Sequence, residues 1–180
     1  MESDFNYFMD CFMIAGERIN HHYFQLPVAG SEEPIYRERV YCYELYHQLR
    51  CVLGDGFPYK LNGEVDKNGH RIIRPELGPK KPDFVVHDPG NMNQNLVVIE
   101  VKPITVKDNI RELRDDINTL IGFLNKAKYY RAIMLVYGNE KNELPANIIP
   151  NVKNSIEGYV NRIALLWHSC PMEKPIVVKV

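Results

Sequence analysis

The chain is short of the features that would place it in a membrane or outside the cell. None of its apolar runs approaches the roughly 20 residues that a helix needs to cross a bilayer. Its first residues, Met1-Glu2-Ser3-Asp4, are acidic, where a secretory signal starts basic. A cytoplasmic location with no membrane partner is the expectation. Cysteine is sparse: Cys11, Cys42, Cys51 and Cys170 are scattered, and none stands in the short paired spacing of a zinc site. They read as reduced, mostly buried thiols, and the six histidines are equally dispersed. No charge of one sign dominates, since 22 Lys and Arg stand against 23 Asp and Glu, a net of −1. That balance excludes binding to nucleic acid through overall basicity. Repeats, low-complexity tracts and long linkers are missing as well.

What is present suits one domain with a substantial core: 180 residues, 45% hydrophobic and 25% charged. Phe5, Phe8, Met9, Phe12, Met13 and Ile19 recur at helical spacing and predict a helix over residues 4–24, its apolar stripe either core or a dimer contact. A second helix is predicted over 35–53, with Tyr36, Val40, Tyr43, His47 and Cys51 on one side and Gly54-Asp55-Gly56 as its stop. Residues 59–65 read as a strand. Ile110, Leu113, Ile117, Leu120, Ile121 and Leu124 mark a third amphipathic helix, and 131–137 and 162–167 are compactly apolar strands. Residues 176–180 form an edge strand on this reading, and 139–154 a mobile excursion.

The chemistry lies between Pro82 and Lys102. The chain reads Pro82-Asp83-Phe84-Val85-Val86-His87, a turn-rich segment, then Leu96-Val97-Val98-Ile99-Glu100-Val101-Lys102. Side chains alternate across a strand, so Glu100 and Lys102 share the face of Leu96 and Val98, and Asp83, Val85 and His87 share one face of the preceding strand. The Asp, Asn, Gly and Pro residues of 88–95 predict a hairpin that sets Asp83 beside Glu100. Even an uncharged polar group without a partner costs roughly 2–7 kcal/mol in an apolar strand, so these charges predict a site. Two carboxylates suit a hard cation such as Mg²⁺. Lys102 can orient or deprotonate a water bound to that cation, or stabilise charge on a phosphate.

Pro82-Asp83 followed by Glu100-Val101-Lys102 at the end of an apolar strand resembles the PD-(D/E)XK nuclease superfamily. The resemblance spans residues 35–167 and leaves 1–30 as an N-terminal helical addition. It implies an α/β fold of restriction-endonuclease type, with an αβββαβ core and a central mixed sheet flanked by helices. It also implies a Mg²⁺- or Mn²⁺-dependent hydrolase that cuts phosphodiester bonds, DNA before RNA, leaving 5′-phosphate ends. By resemblance Asp83, Glu100 and the Val101 carbonyl ligate the metal and Lys102 assists the attacking water. A further acid commonly comes from an upstream helix or first strand, and Glu44 and Glu64 compete for that role. His87 lies on the Asp83 face. Over residues 60–81, Lys60, Lys67, Arg71, Arg74, Lys80 and Lys81 face only Glu64, Asp66 and Glu76, a basic cluster suited to phosphate contact. The rival expectation is a catalytically inactive member of the same fold acting as a binding or assembly module.

Overall fold

The computed structural model describes residues 1–64, 81–138 and 143–180. Its helices are α1 (Glu2–Glu17), the short α2 (His21–Phe24), α3 (Glu38–Leu53), α4 (Ile110–Lys126) and α5 (Ile148–Ser155). The strands are β1 (Lys60–Gly63), β2 (Phe84–His87), β3 (Asn95–Pro103), β4 (Arg131–Tyr137), β5 (Ile163–His168) and β6 (Ile176–Val178). They form one six-stranded sheet in the order β1-β2-β3-β4-β5-β6. β3, β4 and β5 are parallel, and antiparallel pairings join β1 to β2, β2 to β3 and β5 to β6. The sheet is therefore mixed, with helices on both faces.

Alternation along the strands sorts side chains into two cores. Val97, Ile99 and Val101 of β3 pack with Phe8 and Phe12 of α1 and Leu45 and Leu49 of α3. Val85 and Val98 pack with Leu113, Ile117 and Leu120 of α4 and Val152 of α5. α3 and α4 thus cover opposite faces and enclose β3 between them. Because both parallel crossovers need a helix, α4 and α5 link β3 to β4 and β4 to β5.

Several sequence expectations shift. The first helix ends at Glu17 and a separate turn restarts at His21, because the Asn20 side chain caps the His22 N–H at 3.0 Å. Phe8, Phe12 and Ala15 are fully buried within the chain, so that stripe is core rather than a dimer contact. Residues 139–154 contain α5 rather than one excursion. Pro150 falls in its first turn, where no intrahelical N–H is required, and 139–142 lie outside the described residues. Val65, Lys67, Arg71, Arg74 and Lys80, with Asp66 and Glu76, also lie outside them. The face of α3 is the largest correction. It buries Tyr41, Cys42, Leu45, Leu49 and Leu53, while Tyr43 is 64% exposed and Cys51 is exposed. Of two competing apolar stripes, the leucine-bearing one removes more hydrocarbon from water.

Gly138, just past β4, has no room for a side chain. A Cβ there would stand 2.8 Å from Cη2 of Trp167 and 3.0 Å from Cβ of Ile104. Gly138→Ala is expected to destabilise the fold by about 1–3 kcal/mol, the usual cost of overpacking a core. Urea denaturation checks this, and an unchanged midpoint would show that Trp167 yields freely.

Candidate functional site

The hairpin register determines what meets at the end of β3. Phe84 pairs with Ile99 and Val85 with Val98, so Asp83, one residue before β2, stands opposite Glu100. The Val101 N–H donates to Oδ2 of Asp83 at 2.7 Å, and the Asp83 and Glu100 carboxyls are close enough to perturb each other's ionisation. Glu100 is only 5% exposed. Two residues on, the Lys102 ammonium donates to Oε2 of Glu38 at 2.9 Å. It also lies 3.2 Å from Oε1 of Glu112 and 3.5 Å from Oδ2 of Asp116. Asp83, Glu100 and Lys102 therefore come together as the strand alternation predicts.

Carboxylates outnumber cations here, and their ionisation is opposed. Burial pushes the Asp83 carboxyl up to about 7, with Glu38 adding to the effect and the Val101 N–H and Lys102 partly offsetting it. Burial also raises Glu100 well above the usual carboxylate range, followed by the charges of Asp83 and Asp116. Burial and mutual repulsion thus favour the protonated form at both carboxyls. Asp116 is raised to about 6, chiefly by burial, and its Oδ2 makes no hydrogen bond. For Lys102, burial favours loss of the proton, but Asp116, Glu38 and Asp83 outweigh it and the pKa is raised. Lys102 is thus an ammonium at neutral pH and not a base.

The upstream acid that contacts Lys102 is Glu38, which the sequence reading passed over. Glu44 instead accepts from Gln48 at 2.7 Å within its own helix. Six residues from Glu38, it is turned roughly 120° around the helix axis. Glu64 pairs with Arg39 at 3.1 Å at the rim of a cleft that Asp83 and Glu38 also line. His87, at the far end of β2, meets Asn62 of β1 at 3.0 Å, about 13 Å along the strand from Asp83. One signal pointed to Glu38: Glu38, Cys42, Leu45 and Leu49 follow the i, i+4, i+7, i+11 spacing of the buried stripe.

The cleft has a volume of about 690 Å³ and runs between α3 and the sheet edge formed by β1, with Asp83 on its wall. Among the described residues, no three or more His, Cys, Asp or Glu side chains converge as a ready metal-holding group. The oxygen donors at the hairpin are the two carboxylates of Asp83 and Glu100. No helix among the described residues is long and apolar enough to cross a membrane. No protein-family model matches the chain, and no curated protein matches it.

A raised carboxyl pKa means that the folded state binds its proton more tightly than the unfolded state. For Asp83 the stabilisation is therefore full below the unfolded value near 3.8 and is lost as pH rises through about 7. His168, lowered to about 4 by burial, works oppositely, losing stability as pH falls below 6.5. Subtracting Asp83→Asn from the wild type reports the Asp83 carboxyl together with its effect on Glu100. Between pH 4 and 7 without divalent metal, the wild type should lose stability relative to Asp83→Asn by up to about 1.4 kcal/mol per pH unit. Chemical denaturation across that range checks it, and parallel pH profiles would contradict the assigned shift.

Proposed function

We propose that the chain is a divalent-metal-dependent nuclease of the PD-(D/E)XK superfamily, an endonuclease-type hydrolase of phosphodiester bonds acting on DNA before RNA. The observation that carries this reading is the buried Asp83–Glu100 pair, whose full ionisation is opposed by burial and by neighbouring acids. The element order α3-β1-β2-β3-α4-β4 supports a restriction-endonuclease-like core, with α1 and α2 as the N-terminal addition.

A hard cation fits this donor set. Carboxylate oxygens are the ligands Mg²⁺ and Mn²⁺ prefer, and positive charge there would let both acids ionise. Asp83 and Glu100, with the Val101 carbonyl, would hold it. When bound, such an ion lowers the pKa of a water and offsets charge on a phosphoryl oxygen. The chain's own residues supply the rest. The Val101 N–H fixes the Asp83 carboxylate, and Glu38, Glu112 and Asp116 keep Lys102 charged beside the pair. As an ammonium, Lys102 orients a water or donates to a phosphate oxygen but does not remove a proton. Hydrolysis by water at phosphorus, with the 3′ oxygen as leaving group, leaves 5′-phosphate ends.

A second reading is favoured by a specific observation. Lys102 is fully engaged by three acids, and no larger metal-holding group exists among the described residues. Both suit a binding or assembly module that retains the fold without catalysis. Cleavage assays on supercoiled DNA, single-stranded DNA and RNA with Mg²⁺ or Mn²⁺ separate the two.

Calorimetry should show Mg²⁺ or Mn²⁺ binding in the wild type and its loss in Asp83→Ala and Glu100→Ala. Unchanged binding in both variants would remove the metal site. Lys102→Ala leaves Glu38, Glu112 and Asp116 uncompensated and should lose stability. At temperatures where circular dichroism shows it folded, it should bind metal and cleave roughly 10²-fold or more slowly, the scale of removing a positioned acid–base or charge-stabilising group. Lys102→Arg should not restore the rate, because a guanidinium is larger and planar. A wild-type rate in Lys102→Ala, on a substrate the wild type cuts, would sink the role given to this lysine.

A further inference from the structure

We infer that the cleft beside Asp83 receives an unpaired polynucleotide strand, one base of which stacks on Tyr43. This rests on the nuclease reading for the chemistry performed at Asp83, and it adds the strand state of the substrate.

Two ridges of α3 form one wall of the cleft. Glu38, Cys42 and Tyr46 follow each other at four-residue spacing, and Arg39 and Tyr43 form a parallel ridge beside them. The first ridge begins at the acid that holds Lys102. From Glu38 to Tyr46 the helix rises about 12 Å, roughly three nucleotides at the 3.4 Å stacked spacing of a strand. Asp83 and Phe84 lie on the opposite wall, next to the β1 edge. A strand laid in the cleft therefore has one phosphate near Asp83 and its neighbours along α3.

The lining combines what a single strand offers. Tyr43 is 64% exposed although its helix buries a full apolar stripe elsewhere, so its ring is not used by the core. Tyr46 is fixed by its hydroxyl, which donates to the Leu61 carbonyl at 3.3 Å, and its ring lies at 22° to that of Phe84. Arg39 and Lys81 stand on the same walls as the acids Glu38, Glu64 and Asp83 and are the lining's cations for phosphate contact. Arg39 is 67% exposed and held by Glu64, a weak exposed pair that a phosphate can displace. In a duplex the base faces are stacked on one another, and only sugar and phosphate reach a concave wall. Aromatic rings inside a cleft are useful only to bases that are already unpaired or flipped out. The volume of about 690 Å³ also falls within the roughly 300–1,000 Å³ of sites that enclose a small ligand, which suits nucleotides and not a double helix.

The test reads binding without turnover. Fluorescence anisotropy of labelled oligothymidylate, oligouridylate and a mixed-sequence DNA duplex is measured with the full chain in Ca²⁺, and repeated in EDTA with Asp83→Asn. Either oligonucleotide should bind at least 10-fold tighter than the duplex, and the preferred one of the two identifies the sugar. Tyr43→Ala should weaken single-strand binding roughly 5- to 150-fold, the range for one base–aromatic stack, and leave duplex binding unchanged. Tyr43→Trp should keep the single-strand affinity. Circular dichroism of each variant verifies folding, which an exposed side chain should not disturb. Equal or tighter duplex binding, or single-strand binding indifferent to Tyr43→Ala, would overturn the inference. Asp83-dependent cleavage confined to duplexes would also overturn it while leaving the nuclease reading intact. Tyr43-dependent strand binding with no cleavage of any substrate would support it and remove the nuclease reading.

Discussion

Burying two carboxylates side by side is unfavourable, and the surroundings of the β2–β3 hairpin are organised around the Lys102 ammonium that offsets it. Lys102 lies between α3 and α4 and is touched by acids from both helices, Glu38 on one side and Glu112 and Asp116 on the other. Removing that lysine would leave Glu38, Glu112 and Asp116 facing Asp83 and Glu100 without compensation. Keeping it leaves an excess of negative charge that raises Asp83, Glu100 and Asp116 together. Ionisation of these acids thus opposes stability, and the two packed faces of the sheet outweigh it.

A second buried polar group shows how the same chain treats an ionisable residue whose interactions are complete. The Tyr41 hydroxyl donates to Nδ1 of His168 at 2.7 Å, and Nε2–H of the ring donates to the Glu173 carbonyl at 2.8 Å. That arrangement suits the neutral imidazole, and burial lowers its pKa to about 4. Nothing is left for a ligand to satisfy. At the carboxylate pair, by contrast, burial and the neighbouring acids both oppose the charged form.

Much of this was legible in the chain. Strand alternation and the turn residues of 88–95 were enough to bring Asp83 opposite Glu100, because a one-residue slip would turn every valine of the hairpin to the wrong core. The face of α4 was equally plain, since Leu113, Ile117 and Leu120 have no competing stripe. α3 was harder. It carries two apolar stripes, and local periodicity does not say which one the sheet will cover. That ambiguity hid Glu38, an acid in a helix's first turn where acids are ordinary partners of the helix dipole. It also promoted Glu44, which a neighbouring glutamine satisfies. The Tyr43 ring was assigned to the packed side for the same reason. Only tertiary packing resolves such a choice.

The strictly sequential strand order has a consequence for how the chain reaches this state. Among the described residues every strand lies beside its neighbours in sequence, and the loop that brings β2 to β3 closes over a short stretch of chain. The hairpin can bring Asp83 and Glu100 together while both are still hydrated. Water leaves them only when α3 and α4 close over the two faces of β3. The desolvation of these two carboxylates therefore belongs to the packing of α3 and α4 against β3 and not to the pairing of β2 with β3.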